Sequence, residues 1–207
     1  ASGNYELLFK STVEHYSTTD QGSSWDNMTL FDRNGKATTA LYVFNDIRGA
    51  QSRTGSNSSG SLDGIYYIKS YHSGLYLDVA DGSSANNAKI QQYNYLGTAR
   101  QKFKLVKGSD GYYTIYTGAS GYSKVVDIAS KSTADGADVI QYTANGGANQ
   151  KFEIVQVQNG VYAIKTRITN SASCLDVYNW STSPGGKIVQ WTYWGGGCQL
   201  WYLETAE

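Results

Sequence analysis

Three aspartates, Asp78, Asp127 and Asp176, recur at a constant spacing of 49 residues, each inside a Leu/Val-Asp-Val/Ile step. An aromatic follows each one 15 positions later, as Tyr93, Tyr142 and Trp191. A Gln-x-aromatic step comes next, opened by Gln101, Gln150 and Gln199 and closed by Phe103, Phe152 and Trp201, 25 residues after the Asp. An ionised carboxylate accepts charge-assisted hydrogen bonds from two adjacent hydroxyls. A flat ring offers an apolar face to C–H groups, and a side-chain amide both donates and accepts. That set suits a polyhydroxylated ring with one apolar face, which is the shape of a sugar. The other role open to these carboxylates is local, as turn-stabilising acceptors for nearby backbone amides. Three copies in register weigh toward binding.

The elements that must hold these residues read as strands. Tyr66-Tyr67-Ile68-Lys69, Tyr112-Tyr113-Thr114-Ile115 and Val161-Tyr162-Ala163-Ile164 open the units. The Asp-centred runs follow, then Lys89 to Tyr93, Val139 to Tyr142 and Ile188 to Trp191, and finally the Gln-x-aromatic runs. All are short, rich in β-branched and aromatic residues, and bounded by Gly, Asn, Asp and Ser. No segment after Ser61 carries the i, i+3, i+4 apolar spacing of a helix. The pattern predicts four strands per unit in three units. One unit of this size cannot bury its apolar face alone, whereas three packed about an axis can.

Three four-stranded units with an Asp in the second strand and a closing Gln-x-Trp/Phe resemble the ricin B-type β-trefoil, and within it the bacterial family 13 carbohydrate-binding modules. The resemblance covers roughly residues 64–207. It implies an all-β fold, a β-trefoil with units of about 64–108, 109–157 and 158–207, in which Phe103, Phe152 and Trp201 pack in a shared core. It also implies one sugar pocket per unit: Asp78, Tyr93 and Gln101; Asp127, Tyr142, Asn149 and Gln150; Asp176, Trp191 and Gln199. Asn149 matches the family's sugar-contacting amide, and Gln150 is expected to hold Asp127 in place. Arg100 and Cys198 stand where the second unit has Asn149, so the second unit is the best equipped. Trp191 gives the third the largest stacking surface. Shallow single sites hold a sugar at about millimolar strength, near −4 kcal/mol. Several sites on one polymer raise avidity by about 10².

Residues 1–50 lie outside the repeat. Asn34-Gly35 reads as a turn, and Leu41, Phe44 and Ile47 have amphipathic spacing before Gly49, which predicts a short helix. Glu6 and Glu14 read as solvated charges. The Trp25-Asp26-Asn27…Leu30-Phe31-Asp32 stretch resembles the C-terminal end of a (β/α)₈ glycoside hydrolase, most nearly the family 53 endo-β-1,4-galactanases. Residues 51–63 form a polar Gly/Ser-rich linker. The fold class expected is therefore all-β with a short N-terminal α-containing segment.

The formal charge is zero and no basic stretch is present, which removes support for a nucleic-acid partner. No apolar run approaches membrane-spanning length, so no membrane span is expected. His15 and His72 are isolated, and no zinc spacing, nucleophile elbow or phosphate loop occurs, so neither metal nor cofactor is expected. Eighteen tyrosines and 23 glycines suit a secreted sugar-handling protein. Cys174 and Cys198 are either bridged or a pair of free, half-buried thiols. The expected partner is a polysaccharide or oligosaccharide such as galactan, xylan or arabinan, bound by a monomer without catalysis by the chain itself. A free-standing galactose-type lectin, a β-trefoil protein-interaction or inhibitor module, and a glycosidase remain alternatives.

Overall fold

The computed structural model describes residues 61–206. The expected N-terminal helix, the barrel-like tail, Glu6, Glu14 and most of the Gly/Ser linker lie outside the described residues. The described residues form twelve strands joined by turns and short 3-10 segments. Unit one contains β1 (Gly64–Ser70), β2 (Tyr76–Val79), β3 (Ala88–Tyr93) and β4 (Lys102–Lys107). Unit two contains β5 (Tyr113–Thr117), β6 (Lys124–Ile128), β7 (Ala137–Thr143) and β8 (Phe152–Gln158). Unit three contains β9 (Val161–Thr166), β10 (Ser173–Val177), β11 (Gly186–Thr192) and β12 (Trp201–Thr205).

Antiparallel pairing runs β1 to β4, β4 to β5, β5 to β8, β8 to β9, β9 to β12 and β12 back to β1. This closed ring of six strands leaves no barrel edge to template association. The remaining strands form three hairpins, β2–β3, β6–β7 and β10–β11. Their inner strands β3, β7 and β11 pair with one another in a triangle that caps the barrel. A six-stranded barrel capped by three hairpins, one pair from each unit, is a β-trefoil.

Period-two alternation explains how the same strands build both core and site. In the second strand of each unit, Leu77 and Val79, Val126 and Ile128, and Leu175 and Val177 point into the core and are fully buried. The intervening Asp78, Asp127 and Asp176 necessarily point to the opposite face. Phe103, Phe152 and Trp201 have no exposed surface and fill the barrel centre, as the Gln-x-aromatic steps imply.

Three buried glutamines lock the units together. Gln92 Nε2 donates to the carbonyls of Ser181 at 2.8 Å and Ser183 at 3.1 Å. Gln141 does the same to Ser83 and Ala85, and Gln190 to Ser132 and Ala134. Their Oε1 atoms accept from Ser73, Thr117 and Thr166 respectively. Every clamp thus reaches from one unit into the segment that follows the Asp-bearing strand of another. A buried amide with donors and acceptor all satisfied fixes geometry, while a truncated one leaves carbonyls stranded.

Candidate functional site

Each Asp and its aromatic share one face of a hairpin. Asp127 is opposite Ile140 and Val125 opposite Tyr142, so Asp127 and Tyr142 are diagonal neighbours across β6 and β7. The same register places Asp78 diagonal to Tyr93 and Asp176 diagonal to Trp191. Directly after each Asp strand the chain makes a tight turn with two successive left-handed residues. They are Asp81 and Gly82, Ser130 and Lys131, and Asn179 and Trp180, with φ between 52° and 62°. The turns are closed by Ser83 N to Ala80 O, Ser132 N to Ala129 O and Ser181 N to Tyr178 O. These are the segments that the buried glutamines clamp, which is how the fold fixes the turn after each Asp.

The glutamine of each Gln-x-aromatic step fixes a second loop. Gln101, Gln150 and Gln199 accept from the backbone amides of Leu96, Asn145 and Trp194 and donate to the carbonyls of Asn94, Thr143 and Thr192. All three thereby fold the loop ahead of them.

Around the carboxylates the three units differ. In unit two, Asp127 Oδ2 accepts from Asn149 Nδ2 at 2.9 Å and Gln150 Nε2 at 2.7 Å. Oδ1 accepts no hydrogen bond from the described residues and is not sealed from solvent, although the residue as a whole is only 4% exposed. Burial pushes the Asp127 carboxyl above its ordinary value, and the bonds from Gln150 and Asn149 pull it part of the way back. Tyr142 is half-buried beside it.

Unit one is closed by Arg100. Its guanidinium makes a two-pronged pair with Asp78, Nε to Oδ2 and Nη2 to Oδ1, both at 2.7 Å, and Gln91 Nε2 adds a third bond at 3.0 Å. The same guanidinium lies 5.5 Å from the centre of the Tyr93 ring. Asp78 has no exposed surface. Gln101 makes only its loop bonds, so Arg100 and Gln91 hold the carboxylate here.

Unit three is intermediate. Cys198 replaces the amide and its Sγ lies 3.5 Å from Asp176 Oδ2. Burial again raises the Asp176 carboxyl, and the neighbouring Gln199 amide and Cys198 thiol pull it part of the way back. Trp191 packs at 6.1 Å from the Tyr178 ring. Cys174 and Cys198 are free thiols, both fully buried and not half-buried. Among the described residues no three His, Cys, Asp or Glu side chains gather into a metal site.

A polar floor, a flat ring and a rigid turn, repeated on a β-trefoil, define a lectin-type domain. The family described as ricin-type β-trefoil lectin domain-like matches residues 53–142, 123–191 and 148–207, and the chain belongs to it. Among solved structures it is similar to ThreeFoil, a designed three-fold symmetric protein, at 42% identity and a TM-score of 0.65 over 69% of this chain and 99% of that one. It is also similar to an exo-β-1,3-galactanase from Clostridium thermocellum, at 36% identity and a TM-score of 0.65, over 70% of this chain but 30% of that one. A curated relative, the clotting factor G alpha subunit of Tachypleus tridentatus, is 34% identical over 96 residues. That match spans 45% of this chain and 14% of the relative's length.

Proposed function

We propose that the trefoil is a non-catalytic carbohydrate-binding module that engages a plant cell-wall type polysaccharide, of the galactan, xylan or arabinan kind, through the recesses of units two and three. The observation that carries this reading is Asp127. Two amides hold one of its carboxylate oxygens and the other has no partner among the described residues, on the same hairpin face as the Tyr142 ring. A sugar that stacks its apolar face on Tyr142 brings its hydroxyl belt to that free acceptor. Asn149, Gln150, Asp176, Trp191 and Gln199 complete the two sites. Asp78, Tyr93 and Gln101 form the third recess, whose acceptor and ring Arg100 occupies.

Two recesses on one rigid body favour a polymer over a monomer, because the second contact is intramolecular. The secreted setting and a role in holding an attached glycoside hydrolase on its substrate extend the same reading. They are supported by the family 53-like stretch before the linker and by the likeness to a galactanase three times longer than the matched region. Affinity electrophoresis through gels containing galactan, xylan or arabinan tests it, with calorimetry on the matching monosaccharides. At least one polymer should retard the protein, and polymer affinity should exceed monomer affinity by about 10². No retardation on any of the three overturns the reading.

A further inference from the structure

The threefold repeat supplies its own internal control for what architecture requires. Position 180 is Trp in unit three, Lys131 in unit two and Gly82 in unit one. Position 194 is Trp, with Asn145 and Leu96 as equivalents, and position 178 is Tyr where the other units have Ala129 and Ala80. The turns fold alike in all three, so the fold does not need aromatics there. Nor does burial explain them, since Trp180 is 47% exposed and Trp194 56% exposed.

Trp180 is also held where a bulky residue is disfavoured. Its φ of 53° is in the left-handed region, where the equivalent Gly82 sits without strain. Lys131 of unit two holds the same conformation at φ 54°, so the turn itself sets this backbone and the neighbours fix where the Trp180 ring lies. Two side chains pack on that ring. The Trp180 and Trp194 rings lie 5.5 Å apart at 49°. His72, from unit one, meets Trp180 edge-on at 4.8 Å and its Nε2 lies 3.0 Å from the Trp180 carbonyl oxygen. The Trp194 indole folds back over Gly196, where any Cβ would collide with the ring. The turn that carries Trp180 starts at Tyr178, which packs on Trp191 of the unit-three recess. One rigid segment therefore joins the Asp176 recess to an exposed aromatic step at the seam with unit one.

We infer that this step, Trp180 and Trp194 backed by His72, is a second sugar subsite continuous with the Asp176 recess, so that unit three takes at least two consecutive residues of a glycan chain while unit two takes one. The inference rests on the carbohydrate-binding reading above. Its occupant is the neighbouring pyranose of the same chain: two wide π-faces, with no carboxylate among their contacts in the described residues, match a ring read mainly by stacking, and the Asp176 end supplies the directional acceptor.

The test uses the full chain carrying Asp127→Asn, which leaves unit three as the reporter, and calorimetry with galactose, galactobiose and galactotetraose, the xylose and arabinose series being run alongside. Variants are Trp180→Gly, which installs the residue of unit one, and Trp194→Ala. The expected result is that the ratio of tetraose to monosaccharide affinity falls about tenfold in either variant, with melting temperature held or raised in Trp180→Gly. An unchanged ratio in a protein that still binds overturns the subsite and leaves the module reading standing. A parent protein that binds none of the series and no polymer overturns both.

Discussion

Arg100 and Asp78 form a two-pronged ion pair whose guanidinium also covers Tyr93, so a single side chain takes up both the acceptor and the ring of the unit-one recess. Asp78 is fully buried and Arg100 is mostly so. Removing one partner of a buried pair strands the other, at about 3 kcal/mol or more. Arg100→Ala is therefore expected to lower stability by roughly that amount in chemical denaturation, with Gln91 left as the main support of the carboxylate. Arg100→Asn installs the unit-two amide and uncovers Tyr93. Calorimetric titration with the bound oligosaccharide should then show one additional site per chain.

Asp127→Asn separates binding from folding. An Asn there keeps an acceptor for Asn149 and Gln150 but loses the charge on the free oxygen. Because burial already disfavours the ionised form, removing the charge should leave the melting temperature unchanged or slightly raised. Polysaccharide affinity should fall tenfold or more, equivalent to about 1.4 kcal/mol. Parallel gel retardation and thermal denaturation check both halves, and unfolding of the variant would make Asp127 architectural.

Binding and stability should respond to pH with opposite signs. The Asp127 and Asp176 carboxyls are raised in the fold above their ordinary value. Between the ordinary value of about 3.9 and the raised values, the folded state binds more protons than the unfolded one. Their contribution to stability is therefore present at the acid end of that window and is lost as pH rises through it. Hydroxyl recognition needs the carboxylate, so affinity falls as pH drops through the same raised values, earlier than an ordinary Asp would allow. Asp63, Asp110 and Asp138 are lowered and work the other way on stability. The difference between wild type and an Asp127→Asn, Asp176→Asn double variant, measured by melts and titrations from about pH 7 to about pH 4, isolates the pair.

The strand pattern and the Asp, aromatic and Gln triplets are legible in the sequence because a repeat superimposes three weak local signals. Phe103, Phe152 and Trp201 announce the core for the same reason. What the repeat hides is long-range pairing. Gln92 reaches carbonyls 89 and 91 residues away, and nothing local to the Lys89 to Tyr93 run marks it as the inter-unit clamp. Arg100 reads in one dimension as a missing amide, and only the folded hairpin brings it onto both Asp78 and Tyr93. The left-handed Trp180 is likewise invisible until its turn is built, although its departure from Gly82 and Lys131 is the signal that could have found it.

The two thiols give a last discriminating prediction. Cys174 and Cys198 are free and buried, and burial pushes both upward, Cys198 to about 12 with the adjacent Asp176 adding to the effect. The thiolate is the reactive species, so an alkylating reagent at about pH 8 should find neither in the native protein. Two equivalents should react after unfolding without reductant, and none would mean a bridge. Cys198 also occupies the place of Asn149. Cys198→Asn should therefore give Asp176 the amide partner that Asp127 has, and raise unit-three affinity in calorimetry on an Asp127→Asn background. A drop in affinity would mean that the thiol, and not an amide, is what the Asp176 recess requires.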